Sequence, residues 1–140
     1  MESQDKFKNK NVKLRLDKKR LINSFKYSFA GIKQAFLDEQ NLKIHFLVAL
    51  LVIIFGFVFK ISYLEWIICF ILIGLVLMAE FFNTSIEYLV DLVSPSYNIL
   101  AKATKDTASA GVLIMALISF IIGCLIFIPK ILNFVGGLLW

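Results

Sequence analysis

Residues 80–91 read EFFNTSIEYLVD and directly follow the apolar run WIICFILIGLVLMA at 66–79. An ionised side chain at membrane depth costs about 3 kcal/mol or more, so acidic residues in this setting need a specific role. At about 100° per residue, the polar residues of the segment share a helix face about 100° wide. This set, which we call the acidic stripe, consists of Glu80, Asn83, Thr84, Glu87 and Asp91. Such a face must be directed toward water, protein or bound ions.

The residue types of the acidic stripe suit phosphoryl transfer. Two or more neighbouring carboxylates bind Mg²⁺ while the ion keeps several waters. A lysine beside them neutralises phosphate charge, and a further carboxylate serves as general base. The chain contains neither a GxxxxGK[ST] loop nor a GxGxxG loop. A kinase built on these residues would therefore belong to neither common soluble class, and its acceptor would be a lipid hydroxyl at the membrane interface.

The composition predicts an integral membrane protein. Of the 140 residues 59% are hydrophobic, whereas soluble domains have about 45–50%. Residues 1–43 hold 11 of the 15 Lys and Arg residues, which indicates a basic segment against anionic lipid on the cytoplasmic side and no nucleic-acid partner. Cys69 and Cys124 lie in apolar runs and are predicted to be reduced packing residues.

The pattern along the chain predicts an all-α architecture. A polar basic tail (1–19) precedes an amphipathic surface helix (20–38), in which apolar residues recur every three or four positions. Three membrane spans follow, at about 42–59, 63–91 and 107–128, the last ending at Pro129. The apolar tail at 131–140 has no predicted role.

The positive-inside rule predicts the orientation of these spans. The N-terminus and the 92–106 connection, which contains Lys102 and Lys105, are expected in the cytoplasm, and the 60–65 turn outside. This topology brings the acidic stripe, Glu39 and the start of the third span to one level at the cytoplasmic boundary.

Two motifs carry a family resemblance. The pattern ExxNTxIExxxD at 80–91, followed by KATKDTASAGVL at 102–113, resembles the small prokaryotic diacylglycerol kinases, and RLINSFKYSFAGIKQAF at 20–36 extends the match. The resemblance covers roughly residues 20–130. It implies an integral membrane lipid kinase with a surface helix and three spans, assembled as a homotrimer in the bacterial inner membrane with its active site at the cytoplasmic face.

The resemblance also implies roles for the acidic residues. Glu80 corresponds to the catalytic base that takes the proton from the lipid hydroxyl, and Asn83 to a residue that orients the reacting groups. Glu39 and Glu87 match the carboxylates that hold the Mg²⁺ of MgATP. In such trimers the site lies between subunits, which would let Glu39 meet the second span of a neighbour.

Five further positions match residues around the substrates in the family. Lys105 and Asp106 correspond to a pair at the nucleotide, with the lysine against phosphate. Arg20 and Tyr27 fall where the family approaches the nucleotide, and Ser109 falls near the lipid.

The segment DEQNLKIHF at 38–46 resembles the Gram-positive branch of the family, whose members look like undecaprenol kinases. The leading hypothesis is therefore ATP-dependent phosphorylation of undecaprenol to undecaprenyl phosphate. His45, within this segment, fits either an interfacial hydrogen-bonding residue or a catalytic participant.

Two alternatives stay open from the sequence. A diacylglycerol kinase that makes phosphatidic acid is distinguished by rates on the two lipids. A small cation channel, with the acidic stripe lining a pore, would conduct cations without ATP, but it gives no role to Glu39, Lys105 and Asp106.

Overall fold

The structure, a computed structural model, describes residues 18–138, with side chains through residue 136. Four helices make up this part of the chain: α1 (Lys18–Asp38), α2 (Gln40–Val58), α3 (Tyr63–Val93) and α4 (Ile99–Leu138). Helices α2, α3 and α4 are long and apolar enough to cross a membrane. The predicted all-α class with three spans is confirmed, while nearly all of the predicted tail at 1–19 lies outside the described residues.

The described chain forms two units, divided after Ile32. The first contains the beginning of α1, in which the hydroxyls of Ser24 and Ser28 each donate to the carbonyl four residues earlier, at 3.0 Å. Its apolar side chains are exposed, including Leu21, Phe25 and Phe29. This exposure suits a helix that lies in a membrane interface.

In the second unit, a tight turn joins α2 to α3. The Ile61 amide donates to the Gly56 carbonyl at 3.1 Å and the Lys60 amide to the Phe57 carbonyl at 3.3 Å. These two bonds form a Schellman motif, in which Lys60 takes the left-handed position (φ 49°) usually given to glycine. The tight hairpin therefore forms because α2 ends in a Schellman motif only a few residues before α3 begins.

Helix α3 starts with a capping box. The Ser62 amide donates to Glu65 Oε2 at 2.5 Å, and the Glu65 amide donates to Ser62 Oγ at 3.4 Å. The same Glu65 oxygen lies 3.0 Å from Lys130 Nζ of α4. One carboxylate thus fixes the start of α3 and ties α4 to it.

Helix α3 packs against both α2 and α4. Ile61, Cys69 and Ile126 form a buried apolar cluster with Trp66 against it. Cys69 is a buried free cysteine and Cys124 a half-buried one. Most other large apolar side chains of the spans are exposed, as expected for surfaces that face lipid.

Helix α4 differs from the predicted third span at both ends. It begins at Ile99, eight residues before the predicted start, because Asn98 Oδ1 caps it by accepting from the amides of Leu100 at 2.8 Å and Ala101 at 3.3 Å. It also continues through Pro129 to Leu138. A single proline removes one amide donor, and the helix tolerates this loss in an apolar segment.

Candidate functional site

The C-terminal half of α3 buries polar side chains of a kind that an ordinary membrane span would exclude. The exposed fraction is 1% for Glu80, 4% for Asn83 and 2% for Thr84. All three belong to the acidic stripe, and their spacing of three and four residues brings them to one helix face. The structure thus directs this part of the stripe into the protein and away from lipid.

Two hydrogen bonds order the stripe along the helix. Asn83 Nδ2 donates to Glu87 Oε1 at 2.8 Å, and Thr84 Oγ1 donates to the Glu80 carbonyl at 3.0 Å. Within residues 18–136, Glu80 Oε2 and Asn83 Oδ1 are buried and have no hydrogen-bond partner. Buried acceptors without donors are costly and rare. Each of these two oxygens is therefore left able to accept a hydrogen bond from an incoming donor, such as a hydroxyl group.

Glu39 lies at the corner between α1 and α2. Its backbone is extended (φ −100°, ψ 122°), and its side chain does not cap α2. Burial raises the pKa of the Glu39 carboxyl, and the carboxylates of Glu87 and Asp38 raise it further, while Lys105 acts in the opposite direction. The corner, α3 and α4 of one chain therefore bring these charges within electrostatic range of one another.

The two residues predicted at the nucleotide have separate partners. Lys105 Nζ lies 2.6 Å from Asp91 Oδ1, which joins the start of α4 to the end of the acidic stripe. Asp106 Oδ2 accepts from Lys102 Nζ at 2.6 Å, and both of these side chains are more than half exposed. Asp91 as the lysine's partner was not among the predicted site residues.

The other predicted site residues lie outside this cluster or in the other unit. Ser109 is exposed on α4. Arg20 and Tyr27 belong to the first unit, where both are exposed. Their predicted roles stay predictions. His45 is half-buried on α2, and its role stays open.

The acidic residues fit a nucleotide-borne cation better than a permanent metal centre. Among residues 18–136, no group of three or more His, Cys, Asp and Glu side chains is arranged to hold a metal ion. Mg²⁺ typically takes one or two carboxylates and completes its shell with phosphate oxygens and water. Glu39 and Glu87 match that smaller requirement.

Sequence reasoning missed one contact near these carboxylates. Tyr88 Oη donates to Asp38 Oδ2 at 2.7 Å, which links the α1–α2 corner to α3. The two residues are 50 positions apart, and no periodic pattern relates them.

Comparison with known proteins gives a consistent result. Residues 26–127 match the family described as prokaryotic diacylglycerol kinase. The undecaprenol kinase of Bacillus subtilis is 43% identical over 112 residues, which cover 80% of this chain and 91% of that protein. The diacylglycerol kinase of Synechocystis is 33% identical over 81% of this chain and 65% of its own length. That of Escherichia coli K12 is 26% identical over 76% of this chain and 88% of its own. The chain belongs to the prokaryotic diacylglycerol kinase family, a family of membrane lipid kinases.

Proposed function

We propose that this protein transfers the γ-phosphate of ATP to the hydroxyl of undecaprenol and so forms undecaprenyl phosphate. The observation that carries the proposal is the buried Glu80 carboxylate, whose Oε2 has no hydrogen-bond partner among residues 18–136 and which lies within electrostatic range of Glu39 and Glu87. A carboxylate oxygen without a hydrogen-bond donor has a lone pair available to accept the proton of a hydroxyl group.

The neighbouring residues divide the remaining tasks. Glu39 and Glu87 hold Mg²⁺, and Lys105 contacts the phosphates of ATP in place of its present partner Asp91. Bound Mg²⁺ neutralises phosphate charge and aligns the reacting phosphoryl group. Asn83 holds the Glu87 carboxylate through the 2.8 Å bond, which leaves its own Oδ1 directed toward the substrates.

Undecaprenol is the preferred substrate in this proposal because the Bacillus subtilis undecaprenol kinase is 43% identical to this chain over the aligned residues, against 33% and 26% for the two diacylglycerol kinases compared. The acceptor is then a primary alcohol on a long isoprenoid. Diacylglycerol is the second candidate, supported by the family name and by those two relatives. Membership of a kinase family disfavours the cation channel.

We further propose that the site lies at the cytoplasmic face of the membrane and that the protein assembles as a homotrimer. The basic residues before α2 support a cytoplasmic N-terminus in the bacterial inner membrane by the positive-inside rule. The acidic stripe then meets ATP at the cytoplasmic face. The family resemblance supports a homotrimer.

A competition assay tests the substrate. The purified protein is given Mg²⁺, labelled ATP, and equal amounts of undecaprenol and diacylglycerol in mixed micelles, and the labelled lipids are separated. We expect undecaprenyl phosphate to form at least about tenfold faster than phosphatidic acid, a preference of about 1.4 kcal/mol. Faster phosphatidic acid formation would replace the first substrate by the second, and no labelled lipid at all would remove the kinase proposal.

A further inference from the structure

The hydrogen bond between Tyr88 and Asp38 lies directly beside the two proposed Mg²⁺ carboxylates. Tyr88 follows Glu87 on α3, and Asp38 precedes Glu39 at the corner. Asp38 Oδ2 accepts from Tyr88 Oη at 2.7 Å and also from Gln34 Nε2 at 2.6 Å. The bond therefore joins the chain positions next to both carboxylates.

The corner that carries Glu39 is also held by contacts between α1 and α2, among them the edge-on rings of Phe36 and Phe46, whose centroids are 5.5 Å apart. Glu39 stands between two helices with extended backbone angles, and its amide donates to the Ala35 carbonyl at 2.8 Å. Lys43 Nζ donates to the Leu37 carbonyl at 2.9 Å, which braces the corner against the start of α2. Neither of these bonds reaches α3.

Electrostatic repulsion acts to open the corner. The Tyr88–Asp38 bond holds the corner against α3, so the acidic side chains of Asp38, Glu39 and Glu87 stand at neighbouring positions and, without a cation, these like charges repel one another. A contact that crosses from the corner to α3 must oppose this repulsion. Tyr88 supplies it, because its hydroxyl donates to Asp38 and so uses one acidic residue of the corner as an anchor.

We propose that Asp38 and Tyr88 are positioning residues that hold Glu39 beside Glu87 for the divalent cation. This inference rests on the proposed function. Neither residue touches a substrate in this scheme. Asp38 acts through the next residue, Glu39, and Tyr88 acts through the preceding residue, Glu87. Loss of the bond should weaken cation binding and leave the chemical step intact once the cation is saturating.

Steady-state kinetics of Tyr88→Phe test this role. Residues that orient metal ligands typically contribute 10–100-fold to affinity. Because both side chains of the bond are exposed, we expect the low end, a rise of about tenfold in the half-saturating Mg²⁺ concentration. The kcat at saturating Mg²⁺ should stay within about twofold of the parent, since removing uniform binding alters KM alone. Tyr63→Phe, at the far end of the same helix and 82% exposed, is the matched control and should change neither value.

A double-mutant cycle adds a second criterion. Asp38→Ala, which removes the acceptor of the Tyr88 hydroxyl, should raise the half-saturating Mg²⁺ concentration like Tyr88→Phe, and the double variant should be no worse than either single variant. An unchanged Mg²⁺ dependence in Tyr88→Phe would overturn the inference. Independent, multiplying effects of the two substitutions would also overturn it, as would a loss of kcat with no change in Mg²⁺ dependence.

Binding without turnover separates this inference from the proposed function. Mn²⁺ binding to the intact protein with a non-hydrolysable ATP analogue is followed by electron paramagnetic resonance. We expect binding by the parent and by Tyr63→Phe, and about tenfold weaker binding by Tyr88→Phe. Equal binding by all three removes only the positioning role, whereas no binding by the parent removes the proposed Mg²⁺ site as well.

Discussion

At the scale of single residues, Glu80 and Glu87 occupy the same helix face but have different surroundings. Glu87 Oε1 accepts from Asn83, while Glu80 Oε2 is buried and has no hydrogen-bond partner in the described part of the chain. This difference supports Glu80 as the base and Glu87 as a cation ligand. We predict that Glu80→Gln lowers kcat at least about 100-fold, because general base catalysis contributes about 10²–10⁴-fold. Turnover is measured in micelles, and gel filtration checks the assembly.

Glu65→Gln is the matched control for this variant, since it makes the same change at the opposite end of α3. Glu65 contacts Ser62 and Lys130, so its substitution should lower thermal stability. It should leave kcat within about twofold, because these contacts lie at the start of α3, away from the acidic stripe. Full activity of Glu80→Gln would contradict the assignment of the base.

Lys105 carries a second prediction at this scale. Its ammonium group is paired with Asp91 at 2.6 Å, and in the proposed site a phosphate of ATP would replace this carboxylate. Lys105→Ala should raise the KM for ATP about tenfold or more, because a hydrogen bond between charged groups contributes about 1.5–3 kcal/mol. Lys102→Ala, one turn earlier on α4, removes an exposed pair with Asp106 and should change this KM by less than about twofold. Similar KM values in both variants would show that the position of the charge is unimportant.

At the scale of helices, α2 and α3 approach closely at Gly56. A Cβ atom there would lie 2.6 Å from Trp66 Cη2. The indole could turn away only by giving up its ring contacts with Phe57 and Phe70, at centroid distances of 4.9 and 5.5 Å. We predict that Gly56→Ala destabilises the hairpin by about 1–3 kcal/mol, the usual cost of overpacking.

Thermal inactivation in detergent measures this effect. Gly123→Ala on α4 is the control, because a Cβ atom at that position meets nothing within 4 Å among the described residues. Because alanine has a higher helix propensity than glycine, Gly123→Ala should leave thermal stability unchanged or raise it slightly. If Gly56→Ala were as stable as Gly123→Ala, the close approach of Gly56 to Trp66 would not limit the stability of the hairpin.

Periodicity explains which helical features were predictable from the sequence. The acidic stripe follows from a spacing of 3.6 residues per turn, and the hairpin from a short connection between apolar runs. The early start of α4 was not evident, since Lys102, Lys105 and Asp106 gave a polar segment that resembled a loop. Asn98 supplied the cap that allows a helix there. Pairings such as Lys105 with Asp91 and Tyr88 with Asp38 depend on tertiary packing and leave no local signal.

At the scale of the whole molecule, the proposed trimer raises the question of which chain supplies each charge. Residues from the corner, α3 and α4 already interact within one chain, because Glu39 is within electrostatic range of both Glu87 and Lys105. Glu80 is likewise within range of Glu39 and Glu87. We infer that Glu80 and Lys105 serve the same site from the same subunit, although a neighbour contributes to the proposed assembly.

Mixed oligomers test this arrangement. Glu80→Gln and Lys105→Ala subunits carrying different affinity tags are co-expressed, and assemblies that contain both are isolated by two successive purifications. The assay uses an ATP concentration well below the KM of the parent, where both single variants are slow. If one chain supplies both residues, every site in these assemblies lacks one of them, and activity should lie between those of the two single variants. If the residues came from different chains, some sites would regain both, and activity would rise well above either variant alone.

The mass of the parent protein, corrected for detergent, should be three times the 16.0 kDa of one chain. A fully active monomer would contradict the trimer and leave the one-chain site intact.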